Sequence, residues 1–299
     1  MKEFILNSTK GFMMGAANVI PGVSGGTIAV ITGVFERLIE AISKFDSIAL
    51  KLLIKKDIKK LLQHIDFIFL LSLGIGAIIS LISLAKLLDL LFLEHKLLVW
   101  AFFFGLILAS VFAVGKTVRS WNKASIVLFI IGVVIAGSMV FLTPSSGNNS
   151  TFYLLLCGAV AMCSMILPGL SGSFVLLLMG NYELIISSIS QFKLDVLIPF
   201  GLGAILGILL FSKLLSLVFK NYHDQTISLL TGFILGSLAL LWPWKNEVIN
   251  SLLIDNRVVE KVVGYTYALP SYTGETLFAL ILIIAGALLI FWTEKKSKE

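Results

Sequence analysis

The sequence is poor in charged residues, which make up 13% of its 299 residues, against about 25% in an ordinary soluble domain. Apolar residues make up 58%, and the mean hydropathy is +1.01. This composition excludes a water-soluble enzyme and a disordered chain. It also excludes a disulfide-stapled secreted domain. The two cysteines, Cys157 and Cys163, lie in one apolar segment and resemble small core residues.

Catalytic and cofactor signatures are equally scarce. The three histidines, His64, His95 and His223, all fall in connectors between apolar segments, so a serine nucleophile has no general base within reach. The run Gly22-Val23-Ser24-Gly25-Gly26 matches the pattern G-x-S-x-G but lacks the strand–turn–helix setting of a nucleophile elbow. We therefore expect no enzyme, no cofactor and no metal site, with a membrane-embedded hydrolase as a third, weaker alternative.

Long apolar runs dominate what is present. Each has roughly 20 residues, enough to cross a hydrocarbon core of about 30 Å as a helix. The predicted spans are 66–88, 97–115, 125–142, 196–219, 227–243 and 276–292. The sequence thus predicts an all-α polytopic membrane protein that forms one integral membrane domain.

Two further apolar stretches are interrupted by Pro-Gly-x-Ser-Gly. They cover residues 11–43, broken from Pro21 to Gly26, and residues 152–190, broken from Pro168 to Ser173. Proline blocks the helix and glycine permits a sharp turn. Non-helical backbone inside a bilayer must be buried in protein or line a wet cavity. Each stretch is therefore predicted to be a broken helical hairpin, either re-entrant or made of two tightly linked spans.

The two halves of the chain resemble each other. Residues 20–43 align without gaps to residues 167–190, with proline, glycine, serine and glutamate at matching positions, and Gly76 and Gly105 recur as Gly203 and Gly232. We predict a first repeat of residues 1–143 (hairpin 11–43, basic connector 44–64, spans 66–142). The second repeat is 150–292 (hairpin 152–190, spans 196–292).

Lysine and arginine cluster in a few connectors, which sets the expected topology. The connector 44–64 holds six lysines, so it is predicted to be cytoplasmic and to contact anionic lipid. The loop 116–123 and the tail 295–298 are also basic, whereas 143–151 is uncharged. These assignments agree only if each hairpin crosses an even number of times. Both termini are then cytoplasmic and the two repeats are inverted, an architecture of alternating-access transporters. The net charge of +6 therefore reflects membrane contact and not nucleic-acid binding.

The helix that follows each break begins with exposed N–H groups and nearby hydroxyls, which together suit an anion such as phosphate or carboxylate. The alternative is a hairpin tip in which the capping hydroxyls bond only to the N–H groups of the same helix start and bind no ligand. Arg37 either pairs with Glu36 or reaches the anion, and Glu36 and Glu183 are predicted to gate or exchange protons unless they lie solvated at the interface. The predicted substrate-binding residues are Asn18, Ser24, Gly25, Gly26, Thr27, Arg37, Ser171, Gly172 and Ser173.

The two motifs closely resemble those of a bacterial membrane family, the PopT-type polyprenyl-phosphate transporters. The matching residues are Lys10–Thr27 with Gly33–Leu38, and Leu167–Phe174 with Gly180–Glu183. Phe35 stands where the family more often has Tyr, which keeps the ring. The resemblance implies a plasma-membrane protein that returns undecaprenyl phosphate, the lipid carrier of envelope glycans, to the cytoplasmic leaflet.

The residues and the resemblance lead to one hypothesis. The chain is expected to be a lipid-phosphate transporter with a polyprenyl phosphate as its substrate and anionic membrane lipids around it. An anion site that opens sideways would pass the phosphate while the apolar tail stays in the bilayer. The alternative is a transporter or channel for a small soluble anion, because paired helix-start sites serve that class as well.

Overall fold

The computed structural model describes residues 2–19, 23–254 and 257–298, so Pro21 and Gly22 of the first break lie outside the described residues. The helices are α1 Lys2–Val19, α2 Gly25–Ile31, α3 Phe35–Ser43, α4 Ser47–Ile54, α5 Ile58–His64, α6 Phe67–Glu94, α7 Lys96–Gly115, α8 Lys123–Ser138, α9 Thr151–Ile166, α10 Gly172–Leu178, α11 Tyr182–Gln191, α12 Leu194–Asn221, α13 His223–Leu241 and α14 Gly274–Lys298. The strands are β1 Lys245–Ile254 and β2 Arg257–Tyr267.

The six predicted spans are confirmed as helices α6, α7, α8, α12, α13 and α14, which are long and apolar enough to cross a membrane. The chain is a multi-pass membrane protein. The interrupted stretches are also broken as expected, although α1 begins at Lys2, nine residues before the predicted hairpin. Helices α2 and α10 have seven residues each and are therefore about 10 Å long, too short to cross alone. Helices α10 and α11 meet at an angle of 111°.

The connector after α13 departs from the all-α expectation. It forms an antiparallel hairpin with Lys245 opposite Tyr267 and Ile254 opposite Arg257, and the register shifts between Val248 and Ile249. Hydropathy marks this segment only as a non-spanning connector. The many valines and isoleucines of this segment favour strands and could have indicated the hairpin from the sequence.

The basic connector 44–64 folds into the short helices α4 and α5, each capped by an aspartate. Asp46 accepts hydrogen bonds from the N–H groups of Ile48 (2.9 Å) and Ala49 (3.0 Å). The Ala49 N–H lowers the pKa of the Asp46 carboxyl. Burial opposes this effect, and bonds from His64 and the Ile48 N–H reinforce it. A carboxylate cap of this kind stabilises the start of the helix.

The two halves end their short helices in the same way. Gly33, with φ +69°, follows α2, and Gly180, with φ +76°, follows α10. In each case the next N–H reaches back five residues, from Val34 to the carbonyl of Ala29 (2.9 Å) and from Asn181 to that of Leu176 (3.2 Å). This left-handed cap favours glycine, which explains why the glycine recurs in both halves.

Helix crossings recur as well. In each half the first helix crosses the long helix after the hairpin at a pair of glycines, Gly11 with Gly76 and Gly158 with Gly203. Each glycine lies so close to a backbone carbonyl of the opposite helix that a side chain has no room. Such contacts are typical of membrane helix packing.

Helices α7 and α13 form the centre of the molecule. In their most apolar stretches, 56% and 67% of the residues are buried. Gly105 of α7 packs against α14, and Gly232 of α13 packs against α8. The last helix of each half therefore packs on the central helix of the other half. The outer helices α8 and α12 bury only 17% of the residues in these stretches. Most of their apolar side chains are therefore free to contact lipid.

Candidate functional site

The two breaks lie against each other. The Thr27 hydroxyl accepts a hydrogen bond from the Gly169 N–H (3.0 Å), and the Ser24 hydroxyl lies 3.3 Å from the Leu167 carbonyl, to which it donates. Ser24 is 2% exposed and Thr27 is fully buried. The structure thus brings residues from opposite halves of the sequence, more than 140 positions apart, into one buried junction.

The first break is held by its own polar residues. Ser24 caps α2 by accepting from the Gly26 N–H (3.1 Å), and the Gly25 N–H donates to the Asn18 side-chain oxygen (2.7 Å). A Cβ on Gly26 would lie 2.5 Å from the Ile166 carbonyl oxygen. Glycine is therefore required at position 26 by the approach of the second break.

A cavity of about 150 Å³ lies beside this junction. Asn18, Gly25 and Gly26 form its polar end, and Phe35 and Met165 contribute to its apolar walls. Three predicted binding residues thus line one cavity. Its volume is close to that of a cavity of roughly 150 Å³ that holds a benzene ring, so it can take a small group but not a whole lipid.

The second break is more open. Ser171 caps α10, with the Phe174 N–H 3.5 Å from its hydroxyl, and the hydroxyls of Ser171 and Ser173 lie 2.9 Å apart. Ser171 and Gly172 are half-buried, and Ser173 is exposed. Two hydroxyls on an accessible helix start can turn towards an anion, because a hydroxyl rotates freely to suit its partner.

Arg37 lies away from the breaks. Its guanidinium bonds to Glu3 (2.6 Å) and Asp66 (2.7 Å) and stacks over the Phe69 ring at 4.2 Å. Glu3 begins α1 whereas Asn18 lies near the end of that helix, and 15 residues of helix correspond to about 22 Å. Arg37 therefore pairs with Glu3 and Asp66 and not with Glu36, the side-chain partner that the sequence suggests.

Glu36 has a partner that sequence reasoning missed. Its carboxylate lies 3.0 Å from Nε2 of His223, whose Nδ1 is 3.3 Å from Asp224. Asp224 also accepts from the N–H groups of Arg119 (3.3 Å) and Ser120 (3.0 Å). The cluster joins the first hairpin to the start of α13 and to the loop before α8.

Glu183, the equivalent carboxylate of the second half, is exposed in the first turn of α11. The two glutamates therefore differ in surroundings, since Glu36 is tied to His223. Within the described ranges, no group of three His, Cys, Asp or Glu side chains is placed to hold a metal ion.

Comparison with known proteins decides the family. The model of the VCA0040-like family, described as undecaprenyl phosphate translocase-like, matches residues 14–257. The chain belongs to this family. The match contains both breaks.

Two relatives extend the comparison. A polyprenyl-phosphate transporter of Vibrio cholerae is 37% identical over 99% of this chain and 98% of its own length. A polyprenyl-phosphate transporter of Staphylococcus aureus is 31% identical over 80% of this chain and 86% of its own length. Both relatives are named as transporters and not as enzymes, which fits the expectation of a non-enzyme. No solved structure is significantly similar to the chain.

Proposed function

We propose that the protein is a lipid-phosphate transporter that moves undecaprenyl phosphate across the plasma membrane and returns this carrier to the cytoplasmic leaflet. The observation that supports it most is the junction of the two breaks, where Thr27 binds the Gly169 N–H within a bundle of membrane-spanning helices. Irregular backbone at such depth is tolerated where it is buried in protein or lines a cavity, and substrate sites of transporters lie there.

In this proposal the phosphate first meets the open second break. Ser171, Gly172 and Ser173 offer hydroxyls and backbone N–H groups, and two of these residues are half-buried and one exposed. Ser24 and Thr27 are engaged in the junction. They reach the phosphate, together with Asn18, Gly25 and Gly26, only when the two breaks separate.

Inverted repeats complete the proposed mechanism. The matching helix ends at Gly33 and Gly180 and the matching crossings at Gly11 and Gly158 support two copies of one unit. The distribution of lysines supports opposite orientations with both termini in the cytoplasm. Each half can then open the junction to one side of the membrane.

Glu36 and Arg37 are proposed to act at the end of the first hairpin. Both form contacts to other elements, Glu36 to His223 and Arg37 to Glu3 and Asp66. Breaking these contacts frees α3 to move with the break that precedes it, which gives Glu36 a gating role. Glu183 is proposed to gate the second half as the equivalent residue of α11.

The test is movement of fluorescent undecaprenyl phosphate between leaflets of proteoliposomes. Ser173→Asp places a negative charge at the proposed phosphate site, and we expect at least a tenfold slower movement. Ser190→Asp is the matched control, because Ser190 is also exposed and its hydroxyl donates to the Ser187 carbonyl of the same helix. Equal rates for wild type and Ser173→Asp contradict the site. If free phosphate inhibits this movement and unlabelled undecaprenyl phosphate does not, the result favours the small-anion alternative.

A further inference from the structure

A second cavity, larger than the one at the junction, opens between α8, α12 and α13. It has a volume of about 580 Å³, and its lining is almost entirely apolar. Helices α12 and α13 are joined by the single residue Tyr222, so they diverge from this joint and leave a cleft between them. We call this space the α12–α13 cleft.

The walls of the cleft follow one helical face on each side. On α12 they include Leu214, Leu215 and Val218, and on α13 they include Leu229 and Leu230. Residues three and four apart share a helix face, so α12 gives a continuous apolar stripe. The face of α13 is apolar from Leu229 to Phe233 and carries Gln225 and Thr226 at its start. Leu215 and Leu230 are buried at 6% and 0% exposure, whereas Leu214 at the rim is 56% exposed. The cleft is thus deep and open to the lipid side.

The inner end of the cleft is shared with the junction of the two breaks. The Leu167 side chain lines the cleft, while its carbonyl accepts from the Ser24 hydroxyl. Phe233 also lines the cleft, and its carbonyl lies against Gly169, where a Cβ would be 2.5 Å away. A molecule in the cleft therefore touches the same residues that hold the proposed phosphate site together.

We propose that the α12–α13 cleft binds the isoprenoid chain of the transported lipid, at the units next to the phosphate. This inference rests on the proposed function. A cavity of roughly 150 Å³ holds one benzene ring, so the cleft has room for about four units of five carbons. Because the lining is apolar, the ligand must be a hydrocarbon. Because the cleft is continuous with the junction, we infer that this hydrocarbon is the chain whose phosphate lies at the breaks.

The variant Leu214→Trp fills the rim of the cleft and tests the proposal. We expect it to weaken binding of undecaprenyl phosphate at least tenfold. Binding of geranyl phosphate should stay within twofold, because its two isoprene units fill only the inner half of the cleft and do not reach the rim at Leu214. Leu217→Trp is the matched control, because Leu217 lies on the same helix at 61% exposure and is not among the lining residues. It should bind both probes like wild type.

The outcomes separate the two claims. If wild type binds neither probe, the proposed function fails and the inference with it. If wild type binds undecaprenyl phosphate and Leu214→Trp binds it equally well, the inference alone is overturned.

Photo-crosslinking of the unmutated protein adds a readout that does not depend on the folding of a variant. A diazirine-bearing polyprenyl phosphate should label residues 211–218 and 226–233, and a diazirine-bearing phosphatidylethanolamine should label them at least fivefold less. Equal labelling by both lipids overturns the proposal, because the cleft then holds ordinary acyl chains.

Discussion

The two breaks carry the same motif but differ in what surrounds it. In the first break, Ser24 and Thr27 are buried and bound to backbone groups of the second break. In the second break, Ser173 is exposed, and its hydroxyl meets only that of Ser171 among the contacts of the described residues. The first motif therefore supplies the bonds of the junction, and the second presents polar groups to the outside.

Single positions explain this difference. Gly26 corresponds to Ser173, and Thr27 corresponds to Phe174. The first copy thus has its smallest residue where the neighbouring backbone is closest, and a hydroxyl where a buried N–H needs an acceptor. We infer that the two copies have divided the tasks of anchoring and binding, so that exchanging residues between them should have unequal effects.

The largest effect is expected for Gly26→Ser, which gives the first copy the residue of the second. The new Cβ would lie 2.5 Å from the Ile166 carbonyl oxygen, and this backbone contact cannot relax by a rotamer change. Overpacking of this kind costs about 1–3 kcal/mol. Thermal unfolding of the purified protein should show a lower midpoint, and the yield of monodisperse protein should fall.

The reverse exchange, Ser173→Gly, is the control for Gly26→Ser. It removes an exposed side chain, and the expected change in the free energy of unfolding is within about 1 kcal/mol, the helix cost of glycine. Equal destabilisation by the two exchanges contradicts the division of tasks.

An effect in the same range is expected for Thr27→Val, which keeps the shape but removes the acceptor of the Gly169 N–H bond. A buried donor without a partner costs about 1–3 kcal/mol. Thr32→Val is the matched control. The Thr32 hydroxyl bonds to the Ile28 carbonyl, which also accepts the Thr32 N–H at 2.9 Å. If the midpoint of thermal unfolding falls equally for both variants, the bond between Thr27 and Gly169 does not stabilise the junction.

The six spans and the two broken stretches were predictable from sequence because they depend on local signals. Apolar length fixes the six spans. Proline with glycine predicts the two breaks, after which α2 begins at Gly25 and α10 at Gly172. The cap that ends each short helix requires φ > 0, which Gly33 and Gly180 supply. Each of these features is decided within a few residues, so the pattern alone indicates it.

The partners within the site were not predictable in the same way. Glu36 and His223 are 187 positions apart, and Arg37 and Asp66 are 29 apart. No periodicity links such residues, because their contact depends on how whole helices pack. Arg37 illustrates the consequence: its charge was assigned to the breaks, whereas the fold directs it to Asp66 and Glu3.

A modest effect on stability is expected for Arg37→Gln. Arg37 loses two ion pairs that are partly exposed, each worth about 0.2–1 kcal/mol. If Arg37 acts through these contacts, Asp66→Asn, which loses one of the two ion pairs, lowers the unfolding midpoint and slows transport in the same direction as Arg37→Gln but by less. Loss of transport in Arg37→Gln alone, with unchanged transport in Asp66→Asn, places the guanidinium on the phosphate instead.

The smallest effect concerns the two glutamates. Glu36 bonds to His223 at 3.0 Å with a side chain 57% exposed, and exposed pairs contribute about 0.2–1 kcal/mol. In a double-mutant cycle, Glu36→Gln and His223→Gln should be less than additive by about 0.5 kcal/mol in the free energy of unfolding. Glu183→Gln with His223→Gln is the control pair and should be additive. If both pairs show coupling energies of the same size, His223 acts through the fold and not through its bond to Glu36. The two glutamates would then not differ in the way that the structure indicates.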